Sequence, residues 1–170
     1  ARAILSAARQ GLTLPIVYNT NAYDSVEVLR LLDGIVAVYL PDLKYADSDA
    51  GFQYSKVRDY KEHARAAIAE MHRQMGDQLV FGDDGLLKRG LMIRLLVLPN
   101  DIAGIEDNLR WIRDELSPKT AISLMAQYYA TNKATDDRYI LLSRRISEGE
   151  WFEAVSLLHD LGIDEGFMQE

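Results

Sequence analysis

Residues 38–45 read Val-Tyr-Leu-Pro-Asp-Leu-Lys-Tyr. An apolar run ends there in an acid, an aliphatic residue and a lysine, with Asp42 and Lys44 two positions apart. Side chains two apart on an extended chain share a face. The end of this strand therefore presents a carboxylate and an ammonium side by side, and such a pair can grip a zwitterion. The C-terminal ends of parallel strands are where α/β proteins bind small molecules.

Outward from this stretch, strand and helix patterns alternate. Leu14 to Thr20 reads as a short strand, and a helix follows from Asp24 to Leu32, capped by Asp24 or Ser25, with Val26, Leu29 and Leu32 on one face. Ile35 to Leu40 is the second strand, with Asp42 and Lys44 at its exit. A polar connection runs from Tyr45 to Asp59, with a helical turn near Gly51 to Ser55. A helix then spans His63 to Gly76 and turns Ala67, Ile68, Met71 and Met75 inward. Asp77 to Gly90 reads as a loop, and Leu91 to Leu98 is the strongest strand pattern in the chain. Ile102 to Leu116 is a helix and Ala121 to Ala126 a fourth strand; Asp136 to Ile146 and Glu150 to Leu161 are helices. The first residues read as the last turns of a helix stopped by Gly11, and Gly166 to Glu170 as the beginning of an apolar segment, so both ends look cut. Regular β-α order argues for an α/β fold of about four parallel strands with outer helices and right-handed crossovers. The pattern alone leaves an open sheet and part of a barrel as alternatives.

Composition sets bounds. The 170 residues are expected to form one domain, 1–170, with 48% hydrophobic and 26% charged residues and a formal net charge of −7. That charge argues against a non-specific nucleic-acid surface. No apolar run approaches the roughly 20 residues that cross a bilayer, so no membrane partner is expected. No stretch reads as a signal peptide, and no cysteine occurs, which together favour the cytoplasm. Lack of cysteine also excludes disulfides, thiol catalysis and any iron–sulfur cluster held by this chain's own thiolates.

Polar residues collect at the same end of every strand. Asn19, Thr20 and Asn21 follow the first, Asp42 and Lys44 the second, and Asn100 the third, which also carries Arg94; Gln127 and Tyr128 follow the fourth. The set offers hydrogen bonders and a fixed cation but no nucleophile–base pair, so no catalytic residue is assigned. It suits a polar cofactor better than hydrolysis. Plainer explanations exist for each group. Asp42 and Lys44 could form a surface ion pair worth roughly 0–1 kcal/mol, and the Asn19 to Asn21 stretch could be turn chemistry. Arg94 could be a buried strand cation with a structural partner. Gly82 to Gly85 resembles a calcium loop only superficially. His63, His72 and His159 lack metal-ligand spacing, and no metal site is expected. Trp111 and Trp151 read as packing residues.

In their order, Ile-Val-Tyr-Asn-Thr-Asn (16–21), Val-Tyr-Leu-Pro-Asp-Leu-Lys-Tyr, Ile-Arg-Leu-Leu-Val-Leu-Pro-Asn (93–100) and Ser-Leu-Met-Ala-Gln-Tyr-Tyr (123–129) resemble the radical S-adenosylmethionine (SAM) superfamily. Within it they are most similar to proteins related to pyruvate formate-lyase activating enzyme. The resemblance covers nearly the whole chain and implies a truncated partial (β/α) barrel. In that family a Cys-x3-Cys-x2-Cys loop after the first strand holds a 4Fe–4S cluster, which reduces SAM to a 5′-deoxyadenosyl radical. This chain lacks the loop, so the resemblance implies the C-terminal part of such an oxidoreductase, contributing SAM-binding strand ends. The cluster would be bound only in the full-length parent, and this chain alone would be inactive. The family's Asp-Thr-Asn/Ser-Gly turn falls on Asn19, Thr20, Asn21 and Ala22, its Asp-Leu-Lys on Asp42, Leu43 and Lys44, and its strand arginine on Arg94. Asn100, Gln127 and Tyr128 complete the implied cofactor-binding set. A glycyl-radical protein or another substrate protein is the implied partner. Removal of the first barrel strands would leave the Leu14–Thr20 strand as an open edge, so a homodimer through that edge is expected. The alternatives are a non-catalytic α/β interaction domain and another barrel enzyme that binds a small anionic metabolite.

Overall fold

The computed structural model describes residues 2–169. Its elements are α1 (Arg2–Arg9), β1 (Val17–Thr20), α2 (Val26–Arg30), β2 (Val38–Pro41), α3 (Ser48–Ser55), α4 (Tyr60–Met75), β3 (Val80–Phe81), β4 (Leu87–Leu96), α5 (Ile105–Trp111), β5 (Ala121–Met125), α6 (Glu148–Asp160) and β6 (Gly166–Gln169). Together they make an α/β fold with a six-stranded sheet in the order β1-β2-β4-β5-β6, while β3 pairs with β4 beside that path. Every pairing along the path is parallel, and only β3–β4 is antiparallel. The expectation of about four parallel strands is therefore corrected: Gly166–Gln169 is a further parallel strand on β5, and the loop expected over 77–90 contains a hairpin.

Two local features explain these additions. Gly85 takes φ 73° at the hairpin tip, where Gly82 N–H bonds Leu86 C=O and Asp84 caps Leu86 N–H, so the Gly-Asp-Asp-Gly run turns the chain back onto itself. Gly166 has φ 136°, and a Cβ on it would stand 1.8 Å from the Ile122 carbonyl oxygen. Only glycine lets β6 approach β5 this closely.

Pairing between β2 and β4 is interrupted at a proline. Val38 faces Gly90 and Tyr39 faces Leu91, and the pairing resumes as an isolated bridge between Asp42 and Arg94. Pro41 has no N–H to donate, so the rung it would occupy is missing. The chain is carried through the gap by Asp42 N–H to Thr20 C=O on one side and Leu43 N–H to Arg94 C=O on the other.

Alternation along the strands gives the two faces different fates. Leu91, Ile93 and Leu95 are essentially fully buried against the inner face of α4, which supplies Ala64, Ala67, Ile68 and Met71 to the same core. Met92, Arg94 and Leu96, on the other face of β4, are only half-buried. Asn19 and Val17 of β1 are exposed.

The helices depart from their sequence patterns where side chains compete for the backbone. Ser25 caps α2 by accepting from Val28 N–H, which frees Asp24 for other work. Asp136–Ile146, expected as a helix, contains the 3-10 segment Asp137–Leu142, kinked at Tyr139, and a second 3-10 segment, Asn132–Thr135, precedes it. Carbonyls that a helix would use are taken there by side chains: Asn100 Nδ2 donates to Leu141 C=O and Tyr128 Oη to Leu142 C=O. The helix expected from Ile102 begins at Ile105, because Asn100, Asp101 and Gly104 all have positive φ.

Candidate functional site

β2 and β4 deliver their polar residues to one place. Asp42 and Lys44 follow β2, and the alternation that puts them on one face also brings Lys44 Nζ to 2.9 Å from Asp42 Oδ2. Register sets Arg94 beside them: it bridges Asp42 across the sheet, and its Nη2 stands 2.5 Å from Asp42 Oδ1. The same guanidinium donates to Asn19 Oδ1 at 2.7 Å. The contact between Arg94 and Asp42 is an ion pair. Asp42 Oδ1 is buried and met by the Arg94 guanidinium, while the buried Arg94 Nε has no hydrogen-bond partner of its own. A buried donor left unmatched is costly unless something else meets it.

These residues line a cavity of about 310 Å³. Asp42, Lys44 and Arg94 form its charged pole, and Leu96, Leu98, Met125 and Leu142 give it apolar walls. Tyr45 and Tyr128 also line it, with Ser55 from the end of α3. Tyr45 Oη and Ser55 Oγ are hydrogen-bonded at 2.9 Å, and burial pushes the Tyr45 phenol above its usual range. Burial likewise raises the Tyr128 phenol, so both remain neutral donors at neutral pH. The pole carries two cations and one anion, an excess of one positive charge in a chain whose formal net charge is −7.

The other sequence-derived candidates divide. Asn19 reaches the pole through Arg94. Thr20 and Asn21 shape the β1 exit: Thr20 Oγ1 donates to Asp24 Oδ2 and accepts from Ala22 N–H, while Asn21 Oδ1 accepts from Tyr23 N–H. Asp24, freed from capping, also accepts from Tyr18 Oη at 2.9 Å. Asn100 and Gln127 are not brought to the cavity lining. Asn100 ties the chain after β4 to Leu141, Arg144 and Glu150, and Gln127 donates to Gln169 at the end of β6. Sequence reasoning missed Tyr45, Ser55, Met125 and Leu142. Tyr45 directly follows Lys44, but its part in the site depends on α3 folding over it.

No family model matches the chain, and no solved structure matches it. It is 28% identical over 151 residues to "Uncharacterized protein MJ0674" of Methanocaldococcus jannaschii, an alignment that covers 89% of this chain and 40% of that protein. The chain thus spans less than half the length of the curated relative it matches.

Proposed function

We propose that this chain supplies the SAM-binding strand ends of a partial (β/α) barrel resembling pyruvate formate-lyase activating enzyme. One observation carries the reading: Asp42, Lys44 and Arg94, matched to that family by sequence, converge on one pole of a cavity with apolar walls. The donor set fits the amino-acid end of SAM. Lys44 and Arg94 would take its carboxylate and Asp42 its ammonium, all three lining the cavity. Ala22 supports the match. It lies at the position of the family's turn glycine and adopts φ 64°, the left-handed conformation that glycine favours.

The iron–sulfur cluster does not fit this chain. It has no cysteine, and no group of His, Asp or Glu among the described residues could hold a metal ion. A cluster would belong to other parts of a longer parent, as the length of the matched relative allows. SAM, when reduced there, would supply a carbon-centred radical for hydrogen abstraction. The residues of this chain would bind and orient the molecule and keep its amino-acid end in place. The substrate protein and a cytoplasmic setting belong to the same proposal.

The single excess positive charge of the pole favours a second reading, in which the ligand is a small carboxylate metabolite of another barrel enzyme. Calorimetric titration separates the two. SAM and L-methionine should bind, and 4-methylthiobutyrate, which keeps the carboxylate but lacks the ammonium, should bind more weakly. Lys44→Ala should weaken SAM about tenfold or more, as loss of a charged hydrogen bond worth about 1.5–3 kcal/mol implies, with circular dichroism unchanged. Equal binding of the deaminated analogue would favour the second reading. No binding of any of the three would leave the interaction-domain reading.

A further inference from the structure

Tyr60 is the first residue of α4, preceded by Asp59 in a left-handed conformation with φ 52°. Its side chain is almost fully buried, stacked on Tyr23 with ring centres 6.4 Å apart and edge-on to Tyr45 at 5.5 Å. α3 closes over it so tightly that a Cβ on Gly51 would stand 2.8 Å from Tyr60 Cβ. The ring therefore has no freedom to move its hydroxyl.

That hydroxyl sits at the junction of the two strand exits. It accepts from Lys44 N–H at 2.9 Å, and it can donate to Asn21 C=O or to Asp42 C=O, each also at 2.9 Å. Burial raises the phenol well above its usual range, with the Lys44 N–H as an opposing influence, so the proton stays available for the carbonyls. Lys44 follows the bridge between Asp42 and Arg94, beyond the paired part of β2. The bond to Tyr60 holds the Lys44 amide itself, between the Leu43 N–H bond to Arg94 C=O and the Ala46 N–H bond to Ala103 C=O, and so bears on the direction from which Nζ meets Asp42.

We propose that Tyr60 is the positioning residue of the site: one phenol that sets the spacing of the Asn21 and Asp42–Lys44 exits and so the geometry of the charged pole. In its use of SAM as the probe this rests on the proposed function, but its ligand-free consequence does not. Tyr60→Phe removes only the hydroxyl. Tyr39→Phe is the control, since Tyr39 is equally buried and its hydroxyl bonds Gln74 near the other end of α4.

Amide hydrogen exchange and SAM titration on both variants test the idea. In ligand-free Tyr60→Phe, the Lys44 amide should exchange at least tenfold faster while amides in the middle of α4 keep their rates. Affinity for SAM should fall at least tenfold in Tyr60→Phe and stay within twofold of wild type in Tyr39→Phe. An unchanged Lys44 amide, uniform acceleration across the domain, or equal affinity losses in both variants would overturn the proposal. Should wild type fail to bind SAM, the proposed function falls while the exchange data still decide the role of Tyr60. Should Tyr60→Phe not fold, the wild-type protein decides. A slowly exchanging Tyr60 hydroxyl proton with a nuclear Overhauser effect to the Lys44 amide supports the proposal, and its absence overturns it.

Discussion

Glu70 stands on the buried side of α4 as an ionised carboxylate in the interior. Arg73 reaches it through Nε and Nη2, both at 2.9 Å, Gln74 Nε2 donates at 2.8 Å, and Arg30 approaches to 3.9 Å. Arg73 above all holds this carboxyl down to about 2, against an ordinary value of 4.5. A folded-state value below the unfolded one means stability that is complete above about 4.5 and lost as pH falls towards about 2. Urea denaturation of wild type should accordingly show a midpoint that declines through this window. In Glu70→Gln the midpoint should be lower at neutral pH, and the decline between about 4.5 and 2 should be shallower. Equal slopes would mean that Glu70 does not carry the acid sensitivity. At this scale the sequence was informative where a residue's role follows from its own strand. Asp42 and Lys44 share a face by alternation, and an arginine inside an apolar strand must find a partner, as Arg94 does. Asn100 and Gln127 were grouped with them by position at strand exits, but the left-handed turn at Asn100 leads its amide to Leu141. Tyr60 gave no local signal, because its role exists only once two strands and two helices have closed around it.

Among the elements, β6 depends on one residue. Gly166 accommodates both a positive φ and the close approach of the Ile122 carbonyl, which accounts for the parallel pairing of β6 with β5. Gly166→Ala should uncouple β6. The amides of Phe167 to Gln169 should lose exchange protection while those of β4 keep theirs, and the global unfolding midpoint should move far less than a core cavity mutation would move it. Retained protection would show that the strand can shift to make room. The main parallel strands and the long helices were legible because their apolar patterns are long: β4 contains most of an apolar run from Leu91 to Leu98 broken only by Arg94, and α4 repeats its inward face over four turns. The failures have a common cause. The β3–β4 hairpin is too short to show alternation, and the segment over Asp136–Ile146 has a helical pattern whose carbonyls are claimed by Asn100 and Tyr128 from elsewhere in the fold.

For the molecule as a whole, β1 is one open edge of the sheet. That strand pairs only with β2, leaving its outer backbone edge without a strand partner among the described residues. Leu14 and Leu31 are more than 70% exposed, and Val17 and Leu5 more than half. An unpaired edge bordered by apolar side chains is rarely left open. The chain should therefore form a two-fold dimer by pairing β1 with its copy. Light scattering across micromolar concentrations checks this, and Val17→Lys, which places a charge on that edge, should return the protein to monomer. A wild-type chain that stays monomeric at all concentrations would rule out the open edge as a self-association surface. The sequential strand order β1-β2-β4-β5 has a further consequence, in the time domain of synthesis. Asn19, Asp42, Lys44 and Arg94 all precede residue 95, and each strand along that parallel path finds its neighbour already made. A chain that folds from its N-terminus as it emerges can thus assemble the charged pole before the apolar walls from Met125 and Leu142 have been translated, so that the pocket closes around a recognition pole already in place.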